Sequence, residues 1–499
     1  AAPDNVAGGM NLPGAWDITT GSAGVIAAVL DTGIVAHSDI DPSRLVPGYD
    51  FVSADGDGGF FIANDGNGRD ADPSDPGDWI TNADIASHPF CGPQTSPSSW
   101  HGTHVAGIVG AASTNNTGIA GINWTSRILP VRVLGRCGGY ASDIADGIRW
   151  AAGIAVAGAP ANTNPAKVLN ISLGASVPCS NTQTIQDAIT AAVGAGATVV
   201  VAAGNENMDA ANASPASCTG VITVAATTRT GGRASYSNFG ASVDIAAAGG
   251  SQTFSNDPNG IESTVNSGAT TPVSGGSTYA SYQGTSMAAP AVTGIVALML
   301  SANNALTSTQ ILSQLQTSAR AFPTGTGLDC TIALCGAGIV DAATVVAAVQ
   351  QTVTVAATDS TAAETDTTPP LPADPATFVV TRAGPNTSAL TVNFVLGGTA
   401  TNGNDYVALP DSVIILAGSN SATITVMPRA DDIPEGEETV TLTITSNANY
   451  MVANTASAVA TITDNDPPLP SNDNGCFIAT AAYGTAFAPE VKTLRVLRD

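Results

Sequence analysis

The sequence predicts an α/β fold, a parallel sheet with helices on both faces, followed by a small all-β sandwich. Three observations predict it. Short apolar runs alternate with helical patterns through residues 1–352, the hydrophobic period changes to two from about Thr377, and a stretch rich in Thr, Asp, Ala and Pro separates the two regimes. Strands buried on both faces read as continuous apolar runs, whereas half-exposed strands alternate, so a change of period marks a change of sheet type.

In the first region the strands are read at 25–30, 128–134, 168–173, 198–203 and 221–226, with helices at 101–112, 141–157 and 182–195 between them. Such alternation builds a parallel sheet, and sites in these sheets form at the carboxyl ends of strands. A further helix, 287–302, is apolar on nearly all sides (Val292, Ile295, Leu298, Met299), so it is expected to run through a core. Pro290 is placed in its first turn, where a missing N–H costs nothing. Residues 353–375 read as a linker, 376–466 as the β-sandwich, 467–475 as a Pro-rich linker and 476–499 as a tail.

Composition narrows the classes. A chain of 499 residues exceeds a single core, and 43% hydrophobic against 11% charged residues, with 53 Gly, describes a folded chain rather than a disordered one. A net charge of −25 and a pI near 4.1 repel nucleic acid and anionic membranes and favour cations. No apolar run reaches the length of a membrane span. Ala1-Ala2-Pro3-Asp4 reads as a mature terminus left after processing. Seven Cys suit an oxidising compartment, with one left over, and Cys330 and Cys335 are near enough for a small local loop.

Three residues make chemical sense together. Asp31 ends the first strand in Val29-Leu30-Asp31-Thr32-Gly33, His101 opens a helix in His101-Gly102-Thr103-His104, and Ser286 stands at the mouth of the apolar helix in Gly284-Thr285-Ser286-Met287. Alone, a serine at a helix start is an N-cap as readily as a nucleophile. With an imidazole to take its proton and a carboxylate to fix the imidazole's tautomer, it suits acyl transfer.

These blocks, in the order Asp, His, Ser, resemble the subtilisin family of secreted bacterial serine endopeptidases over residues 1 to about 352. The resemblance implies that Asp31 orients the ring, His101 is general base and then acid, and Ser286 attacks the scissile carbonyl. His104 would be structural, and His37 and His88 ordinary surface or loop residues. Asn205, in Ala202-Ala203-Gly204-Asn205, matches the family's oxyanion amide, whose loss in a subtilisin costs about a hundred- to thousandfold. Ser172-Leu173-Gly174 and Gly138-Gly139 match the edges that hold a peptide as an added strand. Ala202, Ala203 and Gly204 would wall an open first subsite, suggesting broad specificity. Two departures stand out: Ala291 follows Pro290 where the family often has His, and Ala175 stands where a second glycine is common.

The same resemblance implies structural Ca²⁺ held by Asp39 and Asn115 with the backbone of Ser113, Thr117 and Ile119. A second calcium loop is read from the alternating oxygens of Asp65, Asn67, Asp72 and Asp75, without the Glu an EF-hand would add. It also implies Cys91–Cys137 and Cys179–Cys218 bridges, a propeptide in the precursor, protein or peptide substrates and a monomer. The β-region resembles a Calx-beta module, with Asp405 and Asp431-Asp432-Ile433-Pro434-Glu435-Gly436-Glu437-Glu438 as acidic turns. The tail from Cys476 resembles a short box on exported bacterial proteins, where a sorting signal is one reading. The competing interpretation is a catalytically silent chain acting in adhesion or calcium binding through the β-module. Retention of Asp31, His101, Asn205 and Ser286 argues against it.

Overall fold

The computed structural model describes residues 7–364 and 374–466, apart from 385, 387, 431, 432, 448, 454 and 455. They form two compact units, one built chiefly from residues up to Thr352 and the other chiefly from Val353 onward. The terminal Ala1–Asp4, the Pro-rich 467–475 and the tail with Cys476 lie outside the described residues, as do Asp431 and Asp432.

The first unit is organised by seven parallel strands: β1 (Ile26–Asp31), β2 (Tyr49–Asp50), β3 (Arg127–Arg132), β4 (Val168–Ile171), β5 (Thr198–Ala202), β6 (Val221–Thr227) and β7 (Ile245–Ala248). Their order is β2-β3-β1-β4-β5-β6-β7, so β1 lies where the winding reverses. Ligand crevices open at that reversal, beyond the strands' carboxyl ends. The five expected strands are present. The short β2 and β7 carry too little apolar sequence to announce themselves.

Helices α1 (Leu12–Trp16), α2 (Asn82–Ser87), α3 (His101–Gly110), α4 (Ala141–Ala151), α5 (Gln183–Gly194) and α6 (Thr285–Ala302) accompany the sheet. Side-chain alternation feeds two cores. Ala27 and Val29 of β1 and Val200 of β5 join α3 and α6 on one face. Ala28, Leu30, Val199 and Val201 join α4 and α5 on the other. α4 stops well before residue 157 because Gly153, at φ +84°, turns the chain out of the helix. A hairpin of β8 (Ile261–Asn266) and β9 (Ser277–Tyr282) packs against α3 and was not expected, since its Ser, Thr and Tyr residues form no apolar run.

α6 starts two residues earlier than expected, which puts Pro290 in the second turn rather than the first. Proline there removes the N–H that would bond the Ser286 carbonyl. The Ser172 hydroxyl donates to that carbonyl instead, at 2.9 Å. α6 is long and apolar enough to cross a membrane by length and composition, but it is the buried core helix of this unit. Of its residues, Ser286 is the one that is not buried.

The second unit has nine strands among the described residues: β10 (Thr352–Asp359), β11 (Thr361–Ala363), β12 (Ala376–Ala383), β13 (Leu390–Gly398), β14 (Ser412–Ile415), β15 (Ser421–Val426), β16 (Glu438–Ile444), β17 (Met451–Val452) and β18 (Ser457–Thr463). They form sheets ordered β15-β12-β10-β17 and β11-β18-β16-β13-β14. Strict alternation builds them: Phe378 and Val380 of β12 and Val440 and Leu442 of β16 point inward. The expected linker at 353–375 is corrected here. Its first part forms β10 and β11, because Val353, Val355 and Ala362 are buried at alternate positions within Thr- and Ala-rich sequence.

Candidate active site

β1 delivers Asp31 as its last residue, fully buried, and α3 begins with His101. The two meet because α3 packs directly on the turn after β1. A side chain at Gly102 would place its Cβ 2.2 Å from the Gly33 carbonyl oxygen, so only glycine lets the helix come this close. His101 Nδ1 lies 2.8 Å from Asp31 Oδ1, which also accepts the Thr32 N–H at 2.8 Å. With Nδ1–H bonded to a carboxylate, the neutral ring presents Nε2 as its acceptor. Burial of the ring works against its charged form. The Asp31 charge and hydrogen bond, with Asp78 and Asp75 further off, outweigh it and hold the imidazolium above its ordinary range.

His104, one turn along α3, has the opposite environment. It is buried, stacks on Tyr282 at 4.3 Å and bonds the Ala280 carbonyl through Nε2 at 3.0 Å. Burial drives its pKa down to about 3. It is a structural residue, as expected. His37 lies in a loop, one of the two places expected for it, but is buried, with Nε2 on the Thr278 carbonyl and Nδ1 accepting the Asp39 N–H. His88 stacks on Phe61 at 3.6 Å.

Ser286 is oriented from below. Thr293 bonds Asn170 at 3.0 Å, Asn170 donates to the Ser172 hydroxyl at 2.9 Å, and Ser172 holds the Ser286 carbonyl. The Ser286 hydroxyl donates to the Ser172 carbonyl at 3.2 Å, and among the described residues no hydrogen bond joins it to His101. Asn205 is fixed by its oxygen, which accepts both the Thr285 N–H and the Thr285 hydroxyl at 2.9 Å. Two donors on one atom settle which end is oxygen, so the amide N–H₂ faces outward. Among the described residues, neither that amide nor the Ser286 N–H meets an acceptor. Gly204, at φ +105°, permits the turn, since a Cβ there would lie 2.2 Å from Asn238 Nδ2.

His101, Ser286 and Asn205 share one cleft of about 710 Å³. It is lined by His101, Ser286 and Asn205, by Ser172, Leu173 and Gly174 on one edge, by Gly138 and Gly139 on the other, and by Ala202, Ala203 and Gly204. Residues 22–369 match the Subtilase family, and residues 348–466 match the Calx-beta domain. The chain belongs to the subtilase family.

As a subtilase it has near relatives. An extracellular protease of Xanthomonas campestris pv. campestris is 49% identical over 335 residues, 67% of this chain and 53% of its own length. An extracellular basic protease of Dichelobacter nodosus is 44% identical over 300 residues, 60% of this chain and 47% of its own. The chain thus spans about half the length of these two relatives. A solved protease structure from Pseudoalteromonas arctica is 50% identical, with a TM-score of 0.63, covering 68% of this chain and 94% of that one.

The subtilase unit carries the expected disulfides Cys91–Cys137, Cys179–Cys218 and Cys330–Cys335. The expected metal ligands divide. Asp39 is fully buried and receives Asn115 Nδ2 at 2.6 Å and the Ile119 N–H at 2.9 Å, so it faces the 113–119 loop. Both donors are neutral, and a buried carboxylate without a cationic partner fits a cation. Burial and the Asp39 charge also push the Tyr279 hydroxyl above its ordinary value.

The second expected loop is not gathered. Asp65 turns to Arg132 at 2.7 Å, Asn67 caps Asp70 at 2.6 Å, and Asp72 caps the Ser74 N–H. Asp75 is buried under Thr32, accepting its hydroxyl at 2.7 Å, and burial lifts its pKa to about 7. Each of these carboxylates holds a protein donor, and among the described residues they form no group close enough to share one ion. Among the described residues, the acidic trios close enough for one cation are Glu364–Asp464–Asp466 and Asp405–Glu435–Glu438, both in the Calx-beta unit. Sequence reading named the Asp405 and Glu435–Glu438 turns but could not join them, because their residues come from different loops.

Proposed function

We propose that this chain is a secreted serine endopeptidase that cleaves peptide bonds through an acyl-enzyme intermediate. The observation that carries the reading is the 2.8 Å contact of buried Asp31 with His101, which lines the same cleft as Ser286, the one α6 residue left unburied. Ser286 Oγ leaves the Ser172 carbonyl and attacks the scissile carbon while His101 Nε2 takes its proton. His101 then gives that proton to the leaving amine, and Asp31 steadies the imidazolium throughout. The Ser286 N–H and the Asn205 amide are donors for the oxyanion, already turned outward before the charge develops. Water on the acyl-enzyme completes the cycle by the same proton relay.

The substrate is an extended segment of protein, added as a strand between Ser172–Gly174 and Gly138–Gly139. The small Ala202, Ala203 and Gly204 admit large apolar residues at the first subsite, which makes specificity broad. Calcium is structural: Asp39 with Asn115 and the backbone of Ser113, Thr117 and Ile119 would hold it, supplying the positive charge that a buried Asp39 lacks. The names of the two relatives support an extracellular location, and family kinship supports a propeptide in the precursor.

A serine-directed fluorophosphonate with peptide mapping tests the reading. The adduct is expected on Ser286, together with cleavage of a denatured protein substrate. No adduct and no cleavage would favour the silent, β-module reading instead.

A further inference from the structure

The loop 75–78 reaches the start of α3 twice. Asp75 holds Thr32, whose hydroxyl oxygen accepts the Gly102 N–H at 3.0 Å. Asp78 accepts the Ser99 N–H at 2.6 Å and the Ser99 hydroxyl at 2.7 Å, and that hydroxyl's oxygen accepts the His101 N–H at 3.2 Å. Two of the orphan donors at the start of α3 are therefore tied down by carboxylates acting through a hydroxyl. Asp78 also lines the cleft beside His101, and no lysine or arginine joins it there.

We propose that Asp78 is a positioning residue for His101, acting through Ser99 on its backbone and through space on its ring as a second negative charge beside Asp31. The inference rests on the reading of His101 as the proton acceptor. Support for the charge effect comes from several directions. Asp78 stands after Asp31 and ahead of Asp75 among the charges that raise His101. After burial, it also adds to the upward shift of Tyr282, whose hydroxyl donates to the Ser99 carbonyl at 2.8 Å, and its charge acts on Arg136, which pairs weakly with Asp84 at 3.8 Å. The groups around Asp78 are thus Asp75 on its own loop, His101 on α3, Tyr282 on β9, and Arg136 after β3. Hydrogen-bonded positioning and charge make separable demands. The first needs the Ser99 hydroxyl, while the second needs only the carboxylate.

The test uses the full chain with Ser286→Ala to prevent self-digestion and follows the His101 ring proton by NMR against pH. With only four His in the chain, His101→Ala assigns the signal. Asp78→Asn keeps the shape, removes the charge, and is expected to lower the titration midpoint by roughly half a pH unit. Ser99→Ala keeps the charge and is expected to leave the midpoint in place while speeding exchange of the His101 amide. A midpoint unmoved by Asp78→Asn, or moved equally by Ser99→Ala, would overturn the proposal. Because the ring titration needs no turnover, this result stands apart from whether the chain hydrolyses peptides. In the active chain the matching expectation is an acid limb of kcat/KM displaced to lower pH in Asp78→Asn only.

Discussion

The acidic residues of the two units are grouped differently. In the subtilase unit nearly every buried carboxylate has a donor of its own: Asp31 has His101, Asp50 has Arg132, Asp143 has Arg69, Asp75 has Thr32. In the Calx-beta unit Asp405, Glu435 and Glu438 converge on one another, as do Glu364, Asp464 and Asp466. Acid-rich sequence is therefore no guide to a cation site by itself. Donors do not decide it, since Asp464 accepts the Glu435 and Gly436 N–H groups at 2.7 Å and Asp405 the Thr401 N–H at 2.6 Å; what decides is whether the fold brings carboxylates from different loops together.

Removing the partner that matters most should give the largest effect. Asp31→Asn leaves the ring unable to hold its tautomer, and turnover on a peptide substrate should fall by about 10⁴-fold, the scale known from another subtilisin's aspartate. Next comes the buried pair of the same unit. Asp50→Ala strands the fully buried Arg132 with only the half-buried Asp65 as counter-charge, and should cost roughly 3–5 kcal/mol, read in urea unfolding of the subtilase unit. A loss as small as that of an exposed pair would mean that Asp65 alone suffices.

Chelation extends the comparison to Asp39, whose donors, Asn115 and the Ile119 N–H, are both neutral. EDTA should lower the melting temperature and speed self-digestion, and Asp39→Asn should make the melt insensitive to EDTA at that step. Equal melting temperatures with and without EDTA in the native chain would remove calcium from the account.

The smallest expected effect lies in the Calx-beta unit. Burial first, then Asp405, raises Glu438 to about 7 in the folded chain. Its folded pKa exceeds the unfolded one, so the folded state holds the extra proton between about pH 4.5 and 7 and loses stability as pH rises through that window. Glu438→Gln should remove this loss, so that in chelator the β-unit melts higher than the native one at pH 8 and alike at pH 4. A pH-independent difference between the two would break the comparison.

Much of this was legible beforehand. The central strands, α3, α5 and α6, and the blocks bearing Asp31, His101, Asn205 and Ser286 could be read because each is a local pattern: an apolar run, a helix opening, a residue type at a turn. Other features left no such mark. The β8–β9 hairpin mixes Ile261 and Val265 with Glu, Ser, Thr, Asn and Tyr residues and so forms no apolar run. β10 and β11 were hidden by linker-like composition. Asp78 was overlooked because its partners, Ser99 and His101, follow more than twenty positions later, with nothing in either stretch to announce the pairing.

By itself, then, the sequence determined the kinds of element and the identity of the reactive groups, since periodicity and residue chemistry act over a few neighbours. Tertiary structure alone decided the partnerships. It separated His101 from His104 on one helix by giving the first a carboxylate and the second a buried carbonyl. It met the carbonyl that Pro290 leaves free with a hydroxyl more than a hundred residues away. It also spent Asp75 on Thr32 rather than on a metal. Which donor a buried polar atom finds depends on how distant loops are brought together, and an unmet one is too costly to leave.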